Sequence, residues 1–307
     1  MNNNIVVCSS SAYAKYVAVL FESIVLNSNA NINFYVIYSS INEADLEDIT
    51  AIIRQNPANT INFVKFDFLK ELEKLDYHEE LPEFSGSYDT YTRLFLPGIL
   101  KPYGVRKCLY LDVDIIVNKN IDELLAITDR IECIGGIVDT VSINLKVPLS
   151  KENYINAGVL PLNLEKLDEL DFSRRCLSFA RANRDSITIY DQDIVNNVFP
   201  DSDNRIALLD IKFNTYLSKT AAVRNAVVLH FTGPYKPWNP LCRWRLKKCI
   251  WVKYQLAARL FLRGWKMTRS RAELLGKVIS GFRFLFNIWL QIRLTLGILR
   301  KDKPDPR

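Results

Sequence analysis

Two aspartates separated by one residue stand where the sequence otherwise predicts a buried strand. Asp112 and Asp114 lie between the apolar run that ends at Leu111 and the β-branched residues 115–117. Two buried carboxylates repel each other unless a cation or a shared proton neutralises them. We therefore expect both at the carboxyl end of a strand, holding a divalent cation such as Mg²⁺ or Mn²⁺. The alternative, a pair that caps the next helix, is disfavoured because residues 115–117 are a poor helix start.

A histidine ends another apolar run, close to a glycine and a lysine. His230 follows apolar residues 227–229 and is one of only two histidines in the chain. Taken alone, such a histidine is more often a hydrogen-bonded core residue than a metal ligand. Gly233 permits close backbone approach to a phosphate. Lys236 supplies a point charge for a phosphate, unless it is simply a solvated loop charge.

Two further polar residues lie within predicted elements. Arg93 falls in a short predicted helix, and arginine is rarely buried without a partner. It is expected either to clamp a carboxylate or a hydroxyl, or to form an ion pair with an acid such as Asp114 or Asp191. Asn156 opens a strand, and its amide suits a hydroxyl group as donor and acceptor, although turn chemistry explains it equally well.

Two acids flank an amide at residues 191–193. Asp191, Gln192 and Asp193 directly precede the apolar Ile194 and Val195. This pattern indicates either a functional cluster or a helix start with first-turn acids, and the two roles are compatible.

The elements that must position these residues begin with a β-α-β-α-β rhythm, typical of a doubly wound α/β sheet. Strands are predicted at residues 5–8, 33–39, 60–66, 107–111, 132–138, 157–162, 205–209 and 226–231. Early helices are predicted at residues 12–27 and after Ser40 or Asn42. A short helix at residues 89–96 is expected to stop at Pro97. Loops are predicted at 77–87 and 139–154, and both are expected to fold over a bound ligand and exclude water. These loops and residues 212–219 are expected to set ligand specificity.

Charge divides the chain into a mildly acidic body and a strongly basic end. The net charge is +6, yet residues 243–301 hold fifteen Lys and Arg against one acid, which leaves −8 for residues 1–242. Residues 278–299 are interrupted by Arg283, Asn287, Gln291 and Arg293, so a transmembrane span is not predicted. Their apolar stripe predicts an amphipathic helix in the plane of an anionic membrane, or a terminal helix packed on the body.

The six cysteines show no C-x-x-C pairing, and no secretory signal is recognised at the N-terminus. A reducing compartment is therefore expected.

Six motifs in order resemble the retaining glycosyltransferases of family 8, in the bacterial lipopolysaccharide α-galactosyl/α-glucosyltransferase group. They lie at residues 5–13, 90–94, 110–117, 156–159, 190–193 and 230–238. The resemblance implies an α/β fold: a GT-A-type, Rossmann-like mixed sheet flanked by helices. It assigns residues 1–242 to a nucleotide-sugar-binding catalytic domain. Residues 243–307 would form a basic C-terminal helical extension that associates with the membrane.

The resemblance also implies roles for individual residues. Asp112, Asp114 and His230 would bind Mn²⁺ (or Mg²⁺), with Gly233 and Lys236 on the diphosphate. The donor site would be completed by Cys8, Ser10, Tyr13, Arg93, Val113, Asn156, Ala157, Asp191 and Gln192. Tyr13 would stack on the base, whereas Ser10, Ser11 and Ala12 stand where relatives usually carry an acid or Asn.

The implied chemistry places Gln192 beneath the anomeric carbon, with Asp191 on the donor sugar. Retention requires a double displacement or a front-side attack. Gln192 is a poor nucleophile, which favours front-side attack, with the leaving diphosphate deprotonating the acceptor. Asp193 is an alternative catalytic nucleophile if it can reach the sugar.

The predicted function is a metal-dependent hexosyltransferase that moves galactose or glucose from a UDP-sugar to lipopolysaccharide or another cell-surface or lipid-linked glycan. It would work in the cytoplasm, peripherally on the inner face of the cell membrane, without a nucleic-acid partner. One alternative is a nucleotidyltransferase, which would need a Gly-rich loop after the first strand; residues 9–11 are serines. Another is a non-enzymatic protein whose basic tail binds nucleic acid or membrane.

Overall fold

The computed structural model describes residues 3–75, 77, 81, 88–216, 220–233, 236–238 and 250. These residues form ten strands: β1 (Asn4–Ser9), β2 (Asn33–Tyr38), β3 (Thr60–Lys65), β4 (Lys107–Leu111), β5 (Ile115–Val117), β6 (Ile134–Val138), β7 (Ile155–Asn156), β8 (Val159–Asn163), β9 (Ile206–Leu208) and β10 (Val228–His230). They also form ten α-helices: α1 (Ala14–Val25), α2 (Glu43–Ile53), α3 (Phe68–Lys74), α4 (Leu96–Leu100), α5 (Asp122–Arg130), α6 (Thr140–Asn144), α7 (Leu164–Glu169), α8 (Phe172–Ala182), α9 (Tyr190–Asn197) and α10 (Thr220–Asn225).

The main sheet is mixed, in the order β3-β2-β1-β4-β8-β6-β7, and β9 pairs with β6. Strands β1 to β4 are parallel to one another, as βαβ crossovers require. Strand β8 runs antiparallel to both β4 and β6. The predicted Rossmann-like mixed sheet flanked by helices is confirmed.

Local sequence explains the first elements. Ile5, Val6 and Val7 of β1 are fully buried, consistent with a parallel strand covered on both faces. Helix α2 begins after Asn42, whose side chain accepts the Asp45 N–H at 2.9 Å.

A second, two-stranded sheet positions His230, one of the predicted metal ligands. Strands β5 and β10 pair antiparallel, with His230 opposite Ile115. Helix α1 and the turn after it hold β5, because Ser23 Oγ accepts the N–H of Val117 at 2.9 Å and Asn27 donates to the Val117 carbonyl at 3.1 Å. The last described strand, β10, therefore ends beside Ile115, the residue that follows Asp114.

Two local predictions were wrong. Residues 89–95 form a 3₁₀ helix that continues directly into α4, with Pro97 in the first turn of α4. Proline begins this helix because the first turn does not need its missing N–H. The predicted loop at 139–154 contains α6, whose start is capped by the Asp139 carboxylate.

Several predictions lie outside the described residues. They include most of the loop at 77–87, residues 217–219, and the basic end 243–307 apart from Ile250. In the part of the chain that is described, no helix has the length and hydropathy needed to cross a bilayer.

Candidate active site

The two aspartates lie just beyond the carboxyl end of β4. The N–H of Asp112 donates to the Gly158 carbonyl at 2.9 Å, continuing the β4–β8 pairing by one residue. Tyr110 donates its hydroxyl to Asp112 Oδ1 at 2.8 Å. Asp114 begins the return into β5 and is 7% exposed.

The β5–β10 register brings His230 to these carboxylates. The N–H of Phe231 donates to the Asp114 carbonyl at 3.0 Å, which fixes the end of β10 beside Asp114. Nε2 of His230 lies 3.2 Å from Asp114 Oδ1 and 3.7 Å from Asp112 Oδ2. One ligand atom from each of the three residues lies within 4.8 Å of the others. The three predicted metal ligands therefore lie together.

The donor set fits a divalent cation. Two carboxylates and one imidazole nitrogen are ligands that Mn²⁺ and Mg²⁺ accept. Burial by itself would raise the pKa of Asp114, but the facing His230 and Lys236 outweigh it and hold the pKa below its usual value. Lys236 Nζ contacts Asp114 Oδ2 at 2.5 Å and donates to the Phe231 carbonyl at 3.1 Å. Asp114 is thus favoured in its ionised form, beside the positive charge of Lys236.

Arg93 connects the metal-ligand side of the site to α9. It is 8% exposed, and its guanidinium contacts Asp112 Oδ1 at 2.9 Å and Asp191 Oδ2 at 3.0 Å. The same group donates to the Ala157 carbonyl at 2.6 Å and lies over the Tyr110 ring, 4.5 Å from its centroid. Burial opposes the charge, yet the two aspartates raise the pKa of Arg93 above its usual value.

One of the two ion-pair partners expected for Arg93 is observed. Asp191 is a partner, but the second is Asp112, whereas Asp114 pairs with His230 and Lys236. Burial raises the pKa of Asp191 to about 6, against the lowering effect of Arg93.

The three polar residues at the start of α9 occupy different environments. Asp191 and Gln192 line the cavity described below, whereas Asp193 is absent from its lining. Asp193 is fully buried and accepts hydrogen bonds from the Tyr154 hydroxyl at 2.5 Å and from the N–H groups of Thr188 and Ile189 at 2.7 and 2.6 Å. Its carboxylate holds the turn that begins α9.

Apart from Asp193, these groups line a cavity of about 710 Å³. All fourteen predicted donor-binding residues line it: Cys8, Ser10, Tyr13, Arg93, Asp112, Val113, Asp114, Asn156, Ala157, Asp191, Gln192, His230, Gly233 and Lys236. Gly233 adopts φ +80°, a conformation that glycine tolerates best.

An aromatic cluster joins the end of the His230 segment to the start of α1. Trp238 stacks on Tyr16 with centroids 3.6 Å apart, and its ring meets Tyr13 edge-on at 6.3 Å. The segment that carries Gly233 and Lys236 is thereby held against the cavity wall that Tyr13 forms.

Sequence reasoning did not select three residues that matter for the geometry. A Cβ atom on Gly158 would meet both His230 and Asp112. Asp139 and Tyr216 also line the cavity, and their side chains are joined at 3.0 Å. Asp139 follows the end of β6 as Asp112 follows β4, so its position at a strand end was an available signal.

Comparison with known proteins now defines the class. The family model described as Glycosyl transferase family 8 matches residues 4–242. This span is well over half of the chain, and the chain therefore belongs to glycosyl transferase family 8. The predicted family is confirmed, and the protein is a glycosyltransferase.

Two curated proteins are similar to this chain over most of its length. The lipopolysaccharide 1,2-glucosyltransferase of Escherichia coli (strain K12) is 26% identical over 245 residues, covering 74% of this chain and 70% of the relative. General stress protein A of Bacillus subtilis (strain 168) is 22% identical over 260 residues, covering 77% and 87%.

Solved structures share the fold. The galactosyltransferase LgtC, solved in complex with donor and acceptor sugar analogs, matches with a TM-score of 0.66 and 22% identity, covering 87% of this chain and 98% of LgtC. GlyE of Streptococcus pneumoniae TIGR4 matches with a TM-score of 0.64 and 17% identity, covering 91% and 64%. The predicted GT-A-type α/β fold is confirmed.

Proposed function

We propose that the protein is a retaining hexosyltransferase that moves galactose or glucose from a UDP-sugar to lipopolysaccharide or another cell-surface glycan. The observation that carries this proposal is the convergence of Asp112, Asp114 and His230 on one cavity with Arg93 and Gln192. Family membership supports sugar transfer, and the name of the E. coli relative supports lipopolysaccharide as the acceptor class.

Asp112, Asp114 and His230 would hold Mn²⁺ or Mg²⁺. Such an ion acts as a Lewis acid on a departing phosphate oxygen. Lys236 contacts the Asp114 carboxylate and Gly233 lies on the cavity wall, so both suit contact with a diphosphate. With a divalent cation neutralising the two carboxylates, the charge of Lys236 would complement an anionic diphosphate.

Donor selection would fall to the rest of the cavity wall. Cys8, Ser10, Tyr13 and Val113 line the end nearest β1 and suit the nucleoside. Arg93, Asp191, Asn156 and Ala157 would contact the sugar. Arg93 is fixed by two carboxylates and a carbonyl, so it can orient Asp191 with little reorganisation.

The hydrogen bonds of Gln192 favour front-side attack over a double displacement. Its Oε1 accepts from Asn156 Nδ2 at 3.0 Å and from the N–H of Ala157 at 3.1 Å, which lowers its power as a nucleophile. Asp193 already accepts several hydrogen bonds and is fully buried, so we propose a structural role for it. The leaving diphosphate would then take the acceptor proton.

We further propose that residues 243–307 bind the anionic inner face of the cell membrane, where lipid-linked acceptors are exposed. Support comes from the sequence, in which residues 243–301 hold fifteen basic residues and one acid together with an interrupted apolar stripe. The protein would then be cytoplasmic and peripheral. The loop region at 139–154 borders the cavity through Val141 and Ser142 and would help to select the acceptor.

A donor screen tests the central proposal. The protein is incubated with UDP-glucose, UDP-galactose and UDP-N-acetylglucosamine, with Mn²⁺ or with EDTA, and release of UDP is measured. We expect metal-dependent hydrolysis of one hexose donor, with the α-anomer of the sugar detected first by NMR. Pyrophosphate release from a nucleoside triphosphate, without any UDP-sugar hydrolysis, would instead indicate a nucleotidyltransferase.

A further inference from the structure

A row of buried side-chain hydrogen bonds connects the predicted metal ligand His230 to Gln192. His230 Nδ1 lies 3.0 Å from Asn214 Oδ1, and Asn214 Nδ2 lies 2.8 Å from Asn156 Oδ1. Asn156 Nδ2 then lies 3.0 Å from Gln192 Oε1, and Gln192 Nε2 lies 3.0 Å from an Asp139 oxygen. Asn214 is fully buried and is absent from the cavity lining.

Backbone N–H groups fix the direction of this row. The N–H of Gly158, which can only donate, points at Asn156 Oδ1 at 3.1 Å. That atom must therefore be the amide oxygen, and the Asn214 atom facing it must be the NH₂ group. The other end of the Asn214 amide is then an oxygen, and it faces His230 Nδ1.

The same reasoning settles the Gln192 end. The N–H of Ala157 donates to Gln192 Oε1 at 3.1 Å, so that atom is the oxygen and Asn156 Nδ2 donates to it. The NH₂ group of Gln192 then faces the Asp139 carboxylate, which accepts it. Two adjacent backbone amides thus orient both halves of the row.

We propose that Asn214 is a positioning residue that keeps the proton of neutral His230 on Nδ1 and leaves the Nε2 lone pair facing Asp112 and Asp114. In the opposite tautomer, Nδ1 and Asn214 Oδ1 would place two lone pairs against each other in a buried site, which is unfavourable. The outer hydrogen bond of a ligating histidine commonly decides which nitrogen binds metal. The inference rests on the proposed function only in taking the group at Nε2 to be the metal.

The first test needs neither donor nor turnover. The chain has two histidines, so His78→Gln leaves His230 as the sole imidazole signal. We expect ¹⁵N NMR of this protein loaded with diamagnetic Mg²⁺ to report the proton on Nδ1, because without a cation the Asp114 oxygen 3.2 Å from Nε2 would itself favour a proton there. A dominant Nε2–H tautomer would overturn the proposal, whether or not the protein transfers hexose.

Variants at Asn214 form the second test. Asn214→Ala should populate the Nε2–H tautomer and weaken Mn²⁺ binding about 10- to 100-fold. Electron paramagnetic resonance of free Mn²⁺, with and without UDP, measures the affinity. Asn214→Asp keeps an acceptor for Nδ1–H and should retain the tautomer. Unchanged tautomer and Mn²⁺ affinity in a folded Asn214→Ala protein would refute the role.

Asn196 supplies the matched control. It is also buried, at 1% exposed, and its amide bonds to the backbone of Ile155 and Gln192 without reaching His230. Asn196→Ala should lower the melting temperature and leave the His230 tautomer and the Mn²⁺ affinity unchanged. A general loss of packing would instead shift both variants alike. If the wild-type protein shows the Nδ1–H tautomer but does not turn over any UDP-hexose, the result would count against the proposed function and not against the role of Asn214.

Discussion

Gly158 lies so close to His230 that a Cβ atom built on the glycine would stand 2.2 Å from the imidazole Cε1. The same atom would stand 2.7 Å from Asp112 Oδ2. Any side chain at this position must therefore displace two of the three predicted metal ligands. Gly158 lies directly before β8, and its φ is not positive, so its backbone conformation does not call for glycine. The requirement for glycine comes from the side chains packed against it.

Gly158→Ala is expected to weaken Mn²⁺ binding at least about tenfold, because ligand displacements of this kind disrupt coordination. Isothermal titration with Mn²⁺ measures the effect, and circular dichroism checks the fold. Gly98→Ala is the control, since a Cβ there meets nothing within 4 Å. Wild-type affinity in a folded Gly158→Ala protein would contradict the metal site.

Asp112→Asn should abolish turnover, with a loss of about 10²-fold or more, because it removes an anionic ligand and keeps the side-chain shape. Initial rates of UDP release at saturating Mn²⁺ give the comparison. Asp168→Asn, which breaks only an exposed ion pair to Lys101, should leave the rate unchanged. Near-normal activity of Asp112→Asn would count against the site.

Gln192→Ala should retain donor binding and lower turnover, because the amide is proposed to act beneath the reacting carbon. UDP-sugar affinity and single-turnover rates separate the two effects. Asn197→Ala removes an amide on the same helix whose side chain bonds only to backbone carbonyls, and it should change neither quantity. An equal loss of affinity and rate would make Gln192 a binding residue.

The carboxyl of Glu22, on α1 and outside the active site, is expected to make the stability of the protein depend on pH. It is 1% exposed, and burial raises its pKa to about 7, although Gln55 donates to it at 2.6 Å. The folded protein therefore holds a proton that the unfolded chain, with a pKa of 4.5, releases. The free energy of unfolding should fall as pH rises from 4.5 to about 7, by about 3 kcal/mol.

Glu22→Gln removes this titration, so its stability advantage should grow with pH over the same window and then level off. Urea unfolding at several pH values measures it. Glu165→Gln, an exposed partner of Arg106, should alter stability by less than about 1 kcal/mol. If Glu22→Gln is no more stable than the wild-type protein above pH 7, the buried carboxyl is better solvated than its packing implies.

Removal of residues 243–307 should abolish cosedimentation with phosphatidylserine vesicles, since basic residues near such a surface contribute about 1 kcal/mol each. Neutral phosphatidylcholine vesicles and a DNA duplex serve as comparison ligands. Unchanged cosedimentation after truncation would refute the membrane role. Binding of the full chain to DNA in preference to vesicles would favour the nucleic-acid alternative.

Strand ends were the most predictable feature of the site. The predicted strand at residues 107–111 coincides with β4, and the carboxylates beyond it lie where strand-end chemistry requires. The pattern was informative because charges interrupt an apolar run only where something neutralises them. His230 was located by its motif, and its approach to Asp114 depends on the β5–β10 register, which no local pattern encodes.

Residues that act through others were harder to predict. Asn214 looks like an ordinary turn residue, and its role depends on Asn156 and His230, which are distant in sequence. Pro97 was misread because a proline stops a preceding helix as readily as it begins the next one. Asp193 was indistinguishable from Asp191 until the start of α9 placed one inside the turn and the other on the cavity.

The pairing of β10 with β5 has a consequence for biosynthesis. Asp112 and Asp114 meet their imidazole partner only through the last described strand, so a nascent chain that stops short of residue 230 lacks one of the three proposed ligands. If the three residues hold a cation, as we propose, its capture during translation would have to wait until residue 230 has emerged from the ribosome.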